Sequence, residues 1–198
     1  MPATIQHEKR RFQILETALD VFIEEGFENT TFQKIADRTG ITRTILYTYF
    51  KNKREIFNRS IKQLLTNIEN ELYGIRKNKN LNHAEKLTQV IILIIERLEE
   101  KQRLLPVVHD FLIKIKSGKR DIDYRVRRRT IKLRHIIASI IIDGIRSGEI
   151  QEVNIRVTGD LLYGIIEAAI FRLAVLKKQA VPELKDVAEL TVRRLAVL

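Results

Sequence analysis

The chain has 198 residues, of which 44% are hydrophobic and 31% charged, with a formal net charge of +11 and no cysteine. A chain of that length buries a real core without covalent staples, and its balance excludes disorder, collagen-like repeats and low complexity. The missing thiols exclude a disulfide framework, a thiolate metal site and a cysteine nucleophile. Met1 to Phe12 is polar and charged and lacks the apolar stretch of a signal peptide, so the expected location is cytoplasmic. The longest apolar run, Leu161 to Leu176, is interrupted by Glu167 and Arg172 and falls short of the roughly 20 residues of a membrane span. No membrane association is expected. Residues 1–60 hold ten Lys or Arg against eight Asp or Glu, so most of the positive excess lies further along the chain. Bulk charge attracts polyanions, but geometry must say where.

In chain order, Phe12, Leu15, Leu19 and Phe22, widened by Ile14, Ala18 and Val21, repeat at the 3.6-residue period of an amphipathic helix that Gly26 ends. Thr30 or Thr31 caps a second, short helix, with Gln33 completing a capping box and Phe32, Ile35 and Ala36 facing inward. Gly40 closes it. Thr42 caps a third helix whose buried side carries Leu46 and Phe50, four residues apart. A longer amphipathic helix then runs through Ile56, Phe57, Ile61, Leu64, Leu65, Ile68 and Leu72 and gives out in the polar stretch Arg76 to Asn82.

Beyond it, helical periodicity marks His83 to Glu100, Leu104 to Lys116, Asp121 to Arg146, Ile155 to Lys178 and Pro182 to Val197. Pro106 starts or bends its helix, Gly118 and Gly148 punctuate, and Pro182 suits a first turn. There is no strand pattern, hairpin signal or internal repeat. The fold class is therefore all-α: an N-terminal three-helix domain over residues 1–52, a connecting helix from about residue 53, and a helical C-terminal domain over 53–198.

The segment Thr30 to Lys53, TTFQKIADRTGITRTILYTYFKNK, sets two short helices either side of a tight glycine-containing turn, which is helix-turn-helix spacing. With Leu46 and Phe50 pointing in, Thr44, Tyr47 and Thr48 occupy the opposite arc, and Arg43 stands beside them at the exposed N-terminal end. An α-helix fits the major groove, where Arg forks onto guanine O6 and N7 while Thr donates, accepts or touches a thymine methyl. Base reading is accordingly assigned to Arg43 and Thr44. Thr31 and Thr42 sit at helix N-termini whose amides favour phosphate, Tyr47 and Tyr49 offer phenols, and Lys53 supplies a point charge, so these residues position the nucleic-acid backbone.

Residues 10–59 resemble the DNA-binding domain of the tetracycline-repressor (TetR) family of bacterial regulators. The resemblance is carried by Ile14, Leu15, Ala18, Leu19 and Phe22, by Gly26-Phe27, Thr30-Thr31, Ile35-Ala36 and Gly40-Ile41-Thr42, and by Leu46 to Phe50 followed by Lys51-Asn52-Lys53. It implies an all-α chain of nine or so helices, a homodimer formed largely by the last two long ones, and a pocket whose effector moves the fourth. Position by position, it implies DNA contacts at Thr31, Gln33, Thr42, Arg43, Thr44, Tyr47, Tyr49 and Lys53, to which helical phase adds Thr48. The sequence departs from the family at Thr44 and Ile45, where a small residue or Pro followed by Thr, Ala or Ser is frequent, so the operator is not readable by analogy. Residues 60–198 match only in length and helicity.

In the C-terminal part, the basic run Lys119 to Arg134 borders an apolar stripe of Ile131, His135, Ala138 and Ile142. A solvated helix face is one reading; the other is a pocket for an anionic amphiphile, such as a fatty acyl thioester or an acidic aromatic. Candidate ligand-binding residues are His109, Arg128, His135, Tyr163 and Glu167. His109 and Asp110 are adjacent on a helix and do not face each other, and phosphate-loop, dinucleotide, zinc-protease and serine-hydrolase motifs are absent. No catalytic residue, metal or cofactor is expected. The expectation is a ligand-responsive repressor that binds a palindromic operator as a dimer; the alternatives are an all-helical enzyme and a protein-docking module.

Overall fold

Nine α-helices make up the regular structure among the described residues of the computed structural model, which describes the backbone of residues 3–115 and 121–197 and the side chains of residues 5–111 and 131–197. They are α1 (Ala3–Asn29), α2 (Phe32–Thr39), α3 (Arg43–Tyr49), α4 (Lys53–Lys77), α5 (His83–Glu100), α6 (Leu104–Ile115), α7 (Asp121–Arg146), α8 (Ile155–Ala174) and α9 (Pro182–Arg193). The fold is all-α; the only extended pairing among the described residues is an isolated antiparallel bridge between Ile150 and Ala196. The chain divides into two units, one of residues 1–67 with 103–113, the other of residues 68–102 with 114–198. Helices α4 and α6 therefore each contribute to both.

In the first unit, α1 bends sharply at Gly26, whose φ of 76° and ψ of 165° suit a residue without a Cβ. Ile14, Leu15, Ala18, Leu19, Val21 and Phe22 are buried, whereas Phe12, expected inside, is 39% exposed. The stripe is centred on Leu15, Ala18 and Phe22, and Phe12 lies at its rim. The turn after Gly26 is tied by the Thr30 hydroxyl, which donates to the Gly26 carbonyl at 2.7 Å. Around it, Phe22, Phe27, Phe57 and Phe111 form one aromatic cluster, with ring centroids 4.4 to 5.8 Å apart in tilted, edge-on and stacked pairs. Phe111 comes from α6, far along the chain, so part of the later sequence completes the core of the N-terminal helices.

The second unit is built on α5, which packs against α7, α8 and α9. An Asn82–Glu85 capping box starts α5, each side chain satisfying the other residue's backbone N–H. Its buried face of Leu87, Val90, Ile91, Ile94 and Ile95 meets Ile136, Ile137, Ile140 and Ile141 of α7 together with the inner faces of α8 and α9. This corrects the phase read for α7: Ile131 is 52% exposed and His135 is exposed, because α5 and α8 take the arc two residues round. Proline starts α9 as expected, while α8 and α9 stop at Ala174 and Arg193, short of the periodicity. Beyond α9 the backbone pairs with residues 149–151, Gln151 donating to the Leu195 carbonyl and Val197 to that of Glu149.

Gly144 of α7 is where helix and loop come closest. A Cβ there would lie 2.5 Å from Ile150 Cδ1 and 2.8 Å from His83 Cβ. Gly144→Ala should therefore destabilise the protein by about 1–3 kcal/mol through overpacking. Gly74→Ala, on a helix with open space around it, should stabilise by about 0.5–1 kcal/mol. Denaturant melts of the two variants, read side by side, check both signs.

Candidate nucleic-acid interface

Two capped turns set the geometry of the helix-turn-helix. Thr31 is the N-cap of α2, its hydroxyl accepting from the Lys34 amide at 3.2 Å. The predicted capping box with Gln33 does not form, because a cap at Thr31 puts Lys34, not Gln33, at the third helical position; Gln33 instead donates to Asp37 Oδ1 at 2.7 Å. Gly40 closes α2 in the left-handed region, with φ of 67° and its N–H on the carbonyls of Ala36 and Asp37. Two residues later Thr42 caps α3, accepting from the Ile45 amide at 3.2 Å. Each hydroxyl spends a lone pair on its cap and keeps its O–H to donate outward.

Leu46 is wholly buried and Phe50, which ends α3 in extended conformation, is 1% exposed. Those anchors leave Arg43, Thr44, Tyr47 and Thr48 on the outer arc, all exposed. The Arg43 guanidinium lies 5.6 Å from the centre of the Tyr47 ring and donates to the Tyr47 hydroxyl at 3.2 Å. Tyr47 in turn stacks on Phe32 of α2 at 4.4 Å. Thr48 donates to the Ile45 carbonyl at 2.7 Å, leaving its oxygen free to accept.

Tyr49 and Lys53 are more constrained than their sequence positions suggest. Tyr49 is half-buried and stacks on His7 at 4.4 Å. Lys53 donates to the Glu28 carbonyl at 2.8 Å, and its ammonium lies 4.7 Å from the centre of the Phe27 ring. One of its three N–H donors is thus committed within the domain. Nothing in the local pattern signals either contact, since His7 and Glu28 come from distant stretches of α1. Two ion pairs brace α2 against α1, Arg38 with Glu24 at 2.5 Å and Lys34 with Glu25 at 2.6 Å; both are exposed and such pairs contribute little.

Of the five ligand-binding candidates, one belongs to the first unit and four to the second. His109 is exposed, belongs to the first unit and lies 3.6 Å from Asp110. The Arg128 side chain lies outside the described residues. His135 and Glu167 are exposed in the second unit, where Tyr163 is buried under the Arg134 guanidinium at 4.3 Å. A cleft of about 650 Å³ in the second unit is lined by Tyr73, Arg76, Lys77, His83, Lys86, Ile140 and Asp143, none of which sequence reasoning singled out.

This geometry defines a helix-turn-helix protein of the DNA-binding type, and the comparisons agree. Residues 14–59 match the family described as bacterial regulatory proteins, tetR family. The match places residues 14–59 with the N-terminal domain of TetR-family transcriptional regulators. It is similar to the fatty acid metabolism regulator protein of Bacillus subtilis, with 24% identity over 170 residues covering 83% of this chain and 84% of that one. Among solved structures it is similar to a TetR transcription regulator from Haloarcula marismortui, at 18% identity and a TM-score of 0.76, covering 96% of this chain and 97% of that one. It is also similar to the transcriptional regulator FadR from Bacillus subtilis in complex with stearoyl-CoA, at 24% identity and a TM-score of 0.65, covering 93% and 96%. These likenesses show the fold over nearly the whole length. No described helix is long and apolar enough to cross a membrane.

Glu55 locks the exit from α3 to α4. Its carboxylate accepts from the Lys51 amide at 2.8 Å and from Arg59 Nε, also at 2.8 Å, while its own amide donates to Asn52 Oδ1 at 2.9 Å. The Lys51 amide, more than Arg59, holds the carboxyl below the ordinary carboxylate range against the opposing effect of burial. A lowered folded pKa means a contribution in place above the unfolded pKa and lost as pH falls through the folded one. Glu55→Gln should thus lower stability by about 0.5–1 kcal/mol near pH 7. In urea melts, the gap from the parent protein should close as pH falls below the ordinary carboxylate range.

Proposed function

We propose that this protein is a homodimeric, cytoplasmic repressor that reads a two-fold-symmetric operator with α3 of each protomer and is released by a small-molecule effector of the anionic amphiphile class. The observation that carries the DNA reading is the outer arc of α3, on which Arg43, Thr44, Tyr47 and Thr48 are exposed while Leu46 is wholly buried. Arg43 reads a guanine edge, its guanidinium already oriented by Tyr47, and Thr44 reads the neighbouring pair. Thr31, Gln33, Thr42, Tyr49 and Lys53 hold phosphates around them. Lys53 has two N–H donors left for this after its bond to Glu28.

Dimerisation is supported by a stripe of exposed apolar residues, Val157, Leu161 and Phe171 on α8 and Val175 at its C-cap, with Val187 and Leu190 on α9. Leu161, Phe171 and Leu190 are each more than half exposed. A lone subunit does not readily leave so much apolar surface in water, and a two-fold contact covers it with its own copy. Two recognition helices then enter successive major grooves about 34–36 Å apart.

The effector class is supported by the relatives, a fatty acid metabolism regulator and a regulator solved with stearoyl-CoA. Of the five candidates, Tyr163 is retained as an effector-lining residue, being buried on α8 beneath a guanidinium. The effector acts through its differential affinity for DNA-competent and incompetent forms.

Selection from a random duplex pool should enrich a palindrome. Against that duplex, Arg43→Ala should cost about 1–3 kcal/mol and relax preference at one base pair in each half-site. Lys53→Ala should weaken all duplexes alike and reduce the salt slope by about one. Parent-like behaviour from both variants refutes the assignment. In sedimentation, Leu161→Asp should shift the protein from dimer to monomer at micromolar concentration; a parent protein that is itself monomeric there refutes the dimer.

A further inference from the structure

The cleft of the second unit is basic in a way that its own residues do not balance. The last turns of α4 bring Arg76 and Lys77 to it and the first turns of α5 bring Lys86, against Asp143 as the only carboxylate in its lining. Lys86 is 9% exposed: its stem is packed, while its ammonium, which has no hydrogen bond or ion pair among the described residues, stays open to the water of the cleft. An anion entering the cleft would be the first counter-charge that this ammonium meets. Elsewhere in this unit lysines already have carboxylate partners: Lys185 meets Glu99 at 2.9 Å and Lys132 meets Glu69 at 3.1 Å. Nearby carboxylates are engaged elsewhere, Asp143 loosely with Arg76 at 3.8 Å and Glu149 with His83 at 2.7 Å.

We propose that this cleft is a binding site for a phosphate dianion, free or carried by a small phosphorylated molecule. Three cations against one carboxylate leave two positive charges unanswered, which matches a phosphate monoester near neutral pH. Lys86 contacts it from within the cleft as a point charge, and Arg76 offers a planar fork suited to two of its oxygens. Tyr73, 43% exposed in the same wall, provides a ring face for an organic substituent. The volume of about 650 Å³ is that of a small-molecule site and far exceeds what one phosphate fills. This site is separate from the operator-reading face and does not depend on that reading.

The test is calorimetric titration of the full-length protein with inorganic phosphate and with phenyl phosphate, at fixed ionic strength in chloride. Saturable binding of one phosphate group per chain is expected, tighter for phenyl phosphate if the natural ligand is an organic monoester and equal for the two if it is the free ion. Lys86→Met keeps the aliphatic stem and removes the charge. It should weaken binding at least about tenfold, as loss of a desolvated charged partner does, and abolish the rise in melting temperature that phosphate gives the parent. Arg76→Gln, on an exposed side chain whose loss leaves the fold intact, should weaken binding several-fold. Lys62→Met, an exposed lysine on α4 outside the cleft, should leave it unchanged. Absence of saturable binding by either probe overturns the proposal. So does equal binding by the parent and both cleft variants, or an equal loss in Lys62→Met, which would mark diffuse attraction to a basic protein.

Discussion

The burial of Leu46 and Phe50 is the constraint on which the functional surface depends. α3 is only seven residues long and has no stability of its own; its rotation about its axis is set by which side chains its neighbours enclose. With Leu46 wholly buried and Phe50 nearly so, the guanidinium of Arg43 and the hydroxyls of Thr44, Tyr47 and Thr48 have nowhere to go but outward. A rotation of about 100°, one residue's worth, would put Ile45 or Tyr47 inside and turn the polar arc away. The caps at Thr31 and Thr42, the left-handed Gly40 and the Glu55 lock fix the ends of the two short helices, so the phase is held along its length.

That small domain is completed from outside its own sequence. Phe111 joins Phe22, Phe27 and Phe57, and Lys53 caps the turn after Gly26 by its bond to Glu28 and its position over Phe27. A change in α6 therefore has a physical route to the turn that precedes α2, through packed rings. In the second unit, charge is handled in two different ways. Arg97 is satisfied by Glu71 and Glu100, which raise its pKa, and Lys185 by Glu99. The three cations of the cleft share one carboxylate. The strongly positive net charge lies mainly beyond residue 60, and part of that excess is thus concentrated at one cavity.

The features legible in the sequence were those with a local cause. Gly26, Gly40 and Gly148 all have positive φ, Thr42 caps the helix that follows it, and the Leu46 to Phe50 spacing places the exposed arc. Where a helix is apolar on more than one side, local pattern failed. On α7 isoleucines occur at 131, 136, 137, 140, 141 and 142, so several arcs are equally apolar, and only the packing of α5 and α8 shows that Ile131 and His135 face away from the core. Contacts across long stretches of chain, such as Tyr49 with His7 or Val181 with Glu99, leave no local signature. The cleft was missed for a related reason: Lys86 reads as an ordinary polar residue near a helix start, and its burial depends on where α7 lies.

The most direct test of the central claim is a structure of the protein bound to its selected duplex. The account predicts that α3 lies in the major groove with Arg43 and Thr44 against base edges and Leu46 still enclosed. A complex in which that arc faces away from the bases, or in which α3 has turned to release Leu46, contradicts it.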